Sequence, residues 1–96
     1  MRGEKKSMRP LHNKAEKECF EAAAAKGWEA LKRGWPDFIM FKGGRVICVE
    51  VKKLDAIDLK EEQHKVMQAL ARSGIECYKW TPESGLQPIS VEPAQL

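Results

Sequence analysis

Gly43-Gly44 stands between two strand candidates, Phe38–Lys42 and Arg45–Lys53, each rich in apolar residues. A two-residue glycine turn between such runs predicts a β-hairpin. That register pairs Lys42 with Arg45 and, stepping outward, sets Asp37 directly across from Glu50. Cβ atoms of opposed residues lie roughly 4.5–5.5 Å apart, so two carboxylates are forced close together. Glu50 also interrupts an otherwise apolar run, Val46–Val51. A carboxylate there is costly unless it is paired. Alternation puts Glu50 and Lys52 on one face and Ile47, Val49 and Val51 on the other.

The remaining elements are built around this hairpin. Residues 1–12 are polar and basic and read as a flexible arm. Asn13 and Glu16 have capping-box spacing, and a helix is expected from there to Lys26, closed by Gly27. Its apolar face includes Ala15, Cys19, Phe20 and Ala22–Ala24, which suits close packing on a sheet. Trp28–Lys32 reads as a short strand. Asp58 and Glu61 repeat the capping-box spacing, and a second helix is expected to run to about Arg72, with Leu59, Val66, Met67 and Leu70 inward. Ile75–Trp80 reads as a last strand. Residues 81–96 contain Pro82, Pro88 and Pro93 and read as an irregular tail. The order is αβββαβ: one mixed sheet flanked by helices, an α/β fold in a single domain with its core at 13–80.

Composition narrows the setting. Three cysteines, Cys19, Cys48 and Cys77, without CxxC spacing argue against a disulfide framework or a zinc site, and suit a reducing cytoplasm. No stretch is long and apolar enough for a membrane span or a secretory signal. Residues 1–53 carry 13 Lys/Arg and 7 Asp/Glu, net +6, and residues 54–96 carry 4 and 7, net −3, giving +3 overall. The basic half suits a polyanionic partner.

A hard cation such as Mg²⁺ or Mn²⁺ between Asp37 and Glu50 would resolve their repulsion, with Lys52 able to reach over the same site. The plain alternative is a strand-end aspartate with Glu50 and Lys52 in solvated ion pairs.

Pro36-Asp37, twelve intervening residues, then Glu50-Val51-Lys52 is the pattern of the PD-(D/E)xK nucleases. The flanking Arg33-Gly34-Trp35 and Phe38, with Gln63 in the next helix, resemble the virus-type replication-repair nuclease (VRR-NUC) branch, related to Holliday-junction resolvases. The likeness covers about residues 13–80 and implies a restriction-endonuclease-like fold. It implies that Asp37, Glu50 and the Val51 carbonyl hold Mg²⁺ or Mn²⁺, that Lys52 is the catalytic lysine, and that Gln63 lies near it. Residues 15–20 are similar to the first helix of archaeal-type resolvases, which points to Glu16 as its acidic residue, with Glu18 as competitor and Glu21 behind. The implied activity is metal-dependent, structure-selective cleavage of DNA. Resolution of four-way junctions by a homodimer, in a bacterial or phage-infected cell, stands first. A flap- or restriction-type nuclease and a non-catalytic DNA-binding module are the alternatives, and a small domain whose basic half meets a protein is a further one. Arg2, Lys5, Lys6, Arg9, Lys32, Arg33, Lys42, Arg45 and Lys53 are the expected phosphate contacts. Trp35 is expected to pack under the loop rather than meet DNA.

Overall fold

The hairpin register dictates the centre of the molecule. A computed structural model describes residues 13–34 and 36–92. It contains α1 (Lys14–Ala25), β1 (Glu29–Lys32), β2 (Phe38–Lys42), β3 (Arg45–Val51), α2 (Glu61–Arg72), β4 (Glu76–Thr81) and β5 (Gly85–Pro88). The strands form one sheet in the order β1-β2-β3-β4-β5. All neighbours are antiparallel except β3 and β4, which run parallel and are joined through α2.

Gly43 and Gly44 have φ of 54° and 85°, the backbone that a tight two-residue hairpin turn requires. The turn fixes Lys42 against Arg45 and, four steps outward, Phe38 against Val49. Alternation then sorts the side chains. Phe38, Met40, Ile47, Val49, Val51 and Trp80 pack with Ala15 and Cys19 of α1. Cys48 and Cys77, with Ile39 and Ile75 beside them, pack with Met67 and Leu70 of α2. The two helices therefore cover opposite faces. Alanine at 22 and 23 lets α1 lie close to the sheet.

Asn13 caps α1 by accepting the Glu16 N–H at 2.8 Å, as its spacing predicts. The second helix corrects the expectation at its start. Asp58 is not its cap: the helix begins at Glu61 with Lys60 as N-cap, and Gln63 Oε1 accepts the Lys60 N–H at 3.0 Å. Val66 is half-buried, and Gln63 and Gln68 are buried beside Met67.

The expected irregular tail is also corrected. Thr81 closes β4, and Gly85–Pro88 adds a fifth, antiparallel strand at the sheet edge. An edge tolerates Pro88, whose missing N–H faces no ladder partner. Asp55 anchors this addition from the β3–α2 connection. Its carboxylate accepts the hydroxyls of Thr81 and Ser84, and its carbonyl accepts Lys79 Nζ at 2.8 Å. Those two hydroxyls, Ser84's most, hold the Asp55 carboxyl below its usual range. Beyond β5, Gln68 donates to the Ser90 carbonyl at 2.7 Å and accepts the Glu92 N–H at 2.8 Å, tying the chain back onto α2.

Asp55→Ala should accelerate hydrogen exchange of the β5 amides while β2 and β3 stay protected. The midpoint of urea denaturation should fall, as read by a titration of the variant beside the wild type.

Candidate active site

Continuing the β2–β3 ladder one step past Phe38 and Val49 brings Asp37 opposite Glu50. The Asp37 N–H donates to Glu50 Oε1 at 3.2 Å, and Asp37 Oδ2 accepts the Val51 N–H at 2.9 Å. Both carboxylates are buried, with 9% and 3% of the residue exposed. Burial, then the negative charge of Asp37, pushes the Glu50 carboxyl up to about 7, with Lys52 opposing. A proton or a nearby cation relieves the repulsion within such a pair.

The donor set fits a hard cation, and the register supplies the reason. One step beyond Asp37, the residue opposite Val51 is Pro36. In an extended strand the N–H and C=O of one residue share an edge. The Val51 N–H points to Asp37, so its carbonyl faces β2 as well. Pro36 has no N–H to offer it. By this register Pro36 offers the Val51 carbonyl no ladder donor, and with the two carboxylates that oxygen completes a donor set of the kind Mg²⁺ and Mn²⁺ prefer. Among the described residues, no three His, Cys, Asp or Glu side chains form a metal-holding group. The set is two carboxylates and a main-chain oxygen.

Lys52 lies one residue beyond β3 on the Glu50 side of the sheet. Its N–H donates to the Trp80 carbonyl at 2.9 Å, extending the alignment with β4. Its Nζ donates to Gln63 Oε1 at 2.9 Å. That oxygen also caps α2, so Gln63, buried at 9% exposure, joins the first turn of the helix to the lysine. The structure therefore brings Asp37, Glu50, the Val51 carbonyl, Lys52 and Gln63 together.

Of the three glutamates considered on α1, Glu16 is the buried one. Glu18 pairs with Lys14 at 3.6 Å, and Glu21 is exposed. Glu16 reaches the site through a residue whose place the sequence conceals. Lys32 is not a surface phosphate contact, as expected, but 3% exposed. Its Nζ is 3.4 Å from Asp37 Oδ1 and 3.8 Å from Glu16 Oε2, and donates to the Arg33 carbonyl at 2.8 Å. The signal that places it is the β1 register, Lys32 opposite Phe38 and hence one step from Asp37. Gly34 and Pro36 mark a break after β1 but do not fix the register of its pairing with β2. Cys19, 1% exposed, lines the α1 side. Burial, then the charges of Asp37 and Glu16, pushes its thiol up to about 12, so it packs as a neutral group.

The other expected phosphate contacts divide. Arg33, Lys42, Arg45 and Lys53 are exposed. Lys42 Nζ and Arg45 Cζ lie 5.7 and 5.4 Å from the Trp28 ring centroid, and Arg45 also pairs with Glu76 at 2.5 Å. Arg2, Lys5, Lys6, Arg9 and Trp35 lie outside the described residues. His64 turns away from the site and meets Glu92 at 3.0 Å.

Glu50 makes stability depend on pH in an unusual direction. Its folded pKa, about 7, is above its ordinary 4.5, so between these values the folded state holds more protons than the unfolded one. Stability is then fully present below about 4.5, falls as pH rises through that window, and levels off above 7. In metal-free buffer, unfolding free energy should drop by on the order of 2–3 kcal/mol from pH 5 to pH 8. Glu50→Gln should abolish the drop, as read by urea titrations at both pH values.

No protein-family model and no curated protein matches the chain.

Proposed function

We propose that this chain is a metal-dependent, structure-selective DNA endonuclease of the PD-(D/E)xK type, with the VRR-NUC branch as its family and resolution of four-way junctions by a homodimer as its task. The observation that carries the reading is the buried Asp37–Glu50 pair, fixed at the end of β2 and β3, with Lys52 held alongside by Gln63. A solvated ion pair at a strand end does not account for two carboxylates held this far from water.

Asp37, Glu50 and the Val51 carbonyl would hold Mg²⁺, or Mn²⁺ in its place. When bound, the ion supplies Lewis acidity at a phosphate oxygen and lowers the pKa of water. Asp37 and Glu50 bring negative charge to a site whose substrate is itself an anion, so both carboxylates must be charge-compensated for a phosphodiester to enter. Lys52 can orient the attacking water or meet charge developing on the phosphate, and Gln63 keeps its ammonium group in place. Arg33, Lys42 and Lys53 are exposed cations that would meet the phosphate backbone without reading sequence. Such binding favours selection by DNA shape.

The test is cleavage of a labelled synthetic four-way junction beside linear duplex and flap DNA, with and without Mg²⁺ or Mn²⁺. Paired symmetric nicks on the junction, only with metal, are expected. Asp37→Asn, Glu50→Gln and Lys52→Ala should each slow cutting by about 10²–10⁴-fold or more, and Gln63→Ala by less. Cutting of flaps alone would keep the active site and discard junction resolution. Salt-sensitive binding without any product would leave a DNA-binding module, and no affinity at low salt would remove nucleic acid altogether.

A further inference from the structure

Lys32 is the buried cation that the proposed chemistry leaves without a task. Its ammonium group has three N–H donors and three oxygens around it: the Arg33 carbonyl at 2.8 Å, Asp37 Oδ1 at 3.4 Å and Glu16 Oε2 at 3.8 Å. These come from three separate places: the strand's own next residue, the start of β2, and the first turn of α1. At 3% exposure the group is shielded from bulk water. Asp37 therefore has two distinct sides. Its Oδ1 turns to Lys32 and Glu16, and its Oδ2 to the Val51 N–H and the Glu50 side.

In nucleases that use two metal ions, the ions sit about 3.5–4 Å apart and share a carboxylate. Asp37 is the carboxylate placed to be shared, and Glu16 is the further acidic ligand on its far side. The place between them is filled by the Lys32 ammonium. We infer that Lys32 takes the position of a second metal ion, so that each site binds a single divalent cation on the Glu50 side, and Glu16 acts as the counter-charge to Lys32 and not as a metal ligand. The inference rests on the metal-dependent reading above. Lys32 is then a positioning residue: it balances Asp37 and turns it toward the cation without touching the substrate.

The measurement is Mn²⁺ stoichiometry and affinity on the full chain, by calorimetry and by electron paramagnetic resonance of free Mn²⁺. The wild type should bind one Mn²⁺ per chain. Glu50→Gln should weaken that binding by about 100-fold or more, and Glu16→Gln should leave it within about tenfold. Lys32→Met should admit a second Mn²⁺, raising the stoichiometry to two. Lys32→Gln, which keeps a hydrogen-bond donor, serves where the methionine variant fails to fold, and a merely structural lysine would leave the count at one in either. Two ions per chain in the wild type, or loss of Mn²⁺ binding in Glu16→Gln equal to that in Glu50→Gln, would overturn the assignment of Lys32 and leave the nuclease reading standing. No Mn²⁺ binding in the wild type would overturn both.

Discussion

Two carboxylates share the open end of an antiparallel pair of strands, and their mutual repulsion in a water-poor place is what the surrounding structure is arranged to hold. Asp37 is clamped by the Val51 N–H and by its own N–H to Glu50, so neither side chain can swing away to relieve the conflict. Unpaired burial of such groups is among the costlier things a small domain can carry. Cations answer it from two directions. Lys32 approaches from the α1 side, and Lys52 from the α2 side. The helices on opposite faces of the sheet thus do more than cover apolar surface. Each brings the polar partner that keeps one lysine in place, Glu16 on α1 and Gln63 on α2.

The order αβββαβ of the first six elements makes this arrangement possible with few residues. An antiparallel hairpin sets the two carboxylates opposite one another through its turn alone. The parallel pairing of β3 with β4 then requires a crossover, and the crossover helix starts beside the end of β3, where Lys52 emerges. A meander of antiparallel strands would have no helix at that point. The fifth strand, pinned by Asp55, widens the sheet beyond β4 and sets Leu86 opposite Trp80.

What could be read from residues alone was whatever local chemistry determines. The hairpin and the Asp37–Glu50 juxtaposition follow from a two-residue glycine turn, visible in sequence, and from counting residues outward from it. Helix α1 follows from Asn13 and Gly27. The start of α2 was obscured because Asp58 has capping spacing, whereas Gln63 supplies the hydrogen bond to Lys60 while also holding Lys52, a choice made by tertiary contact. Strand β5 has four residues and a proline, too little for periodicity, and depends on an aspartate some thirty positions upstream. Lys32 reads as one more basic residue in a basic half-chain. Its burial depends on the pairing of β1 with β2 and on α1 delivering Glu16, neither of which leaves a mark near residue 32.

The single oxygen of Gln63 has a mechanical consequence. It accepts both the Lys60 N–H and the Lys52 ammonium, so the integrity of the first turn of α2 and the order of the lysine are one event. Helix ends fray more readily than sheet centres open. On warming, Lys52 would therefore lose its partner while β2 and β3 still hold Asp37 and Glu50 face to face. The molecule would pass through a range of temperature in which the carboxylates remain assembled but the lysine beside them wanders, so the order of this cluster is limited by one turn of helix and not by the melting of the core.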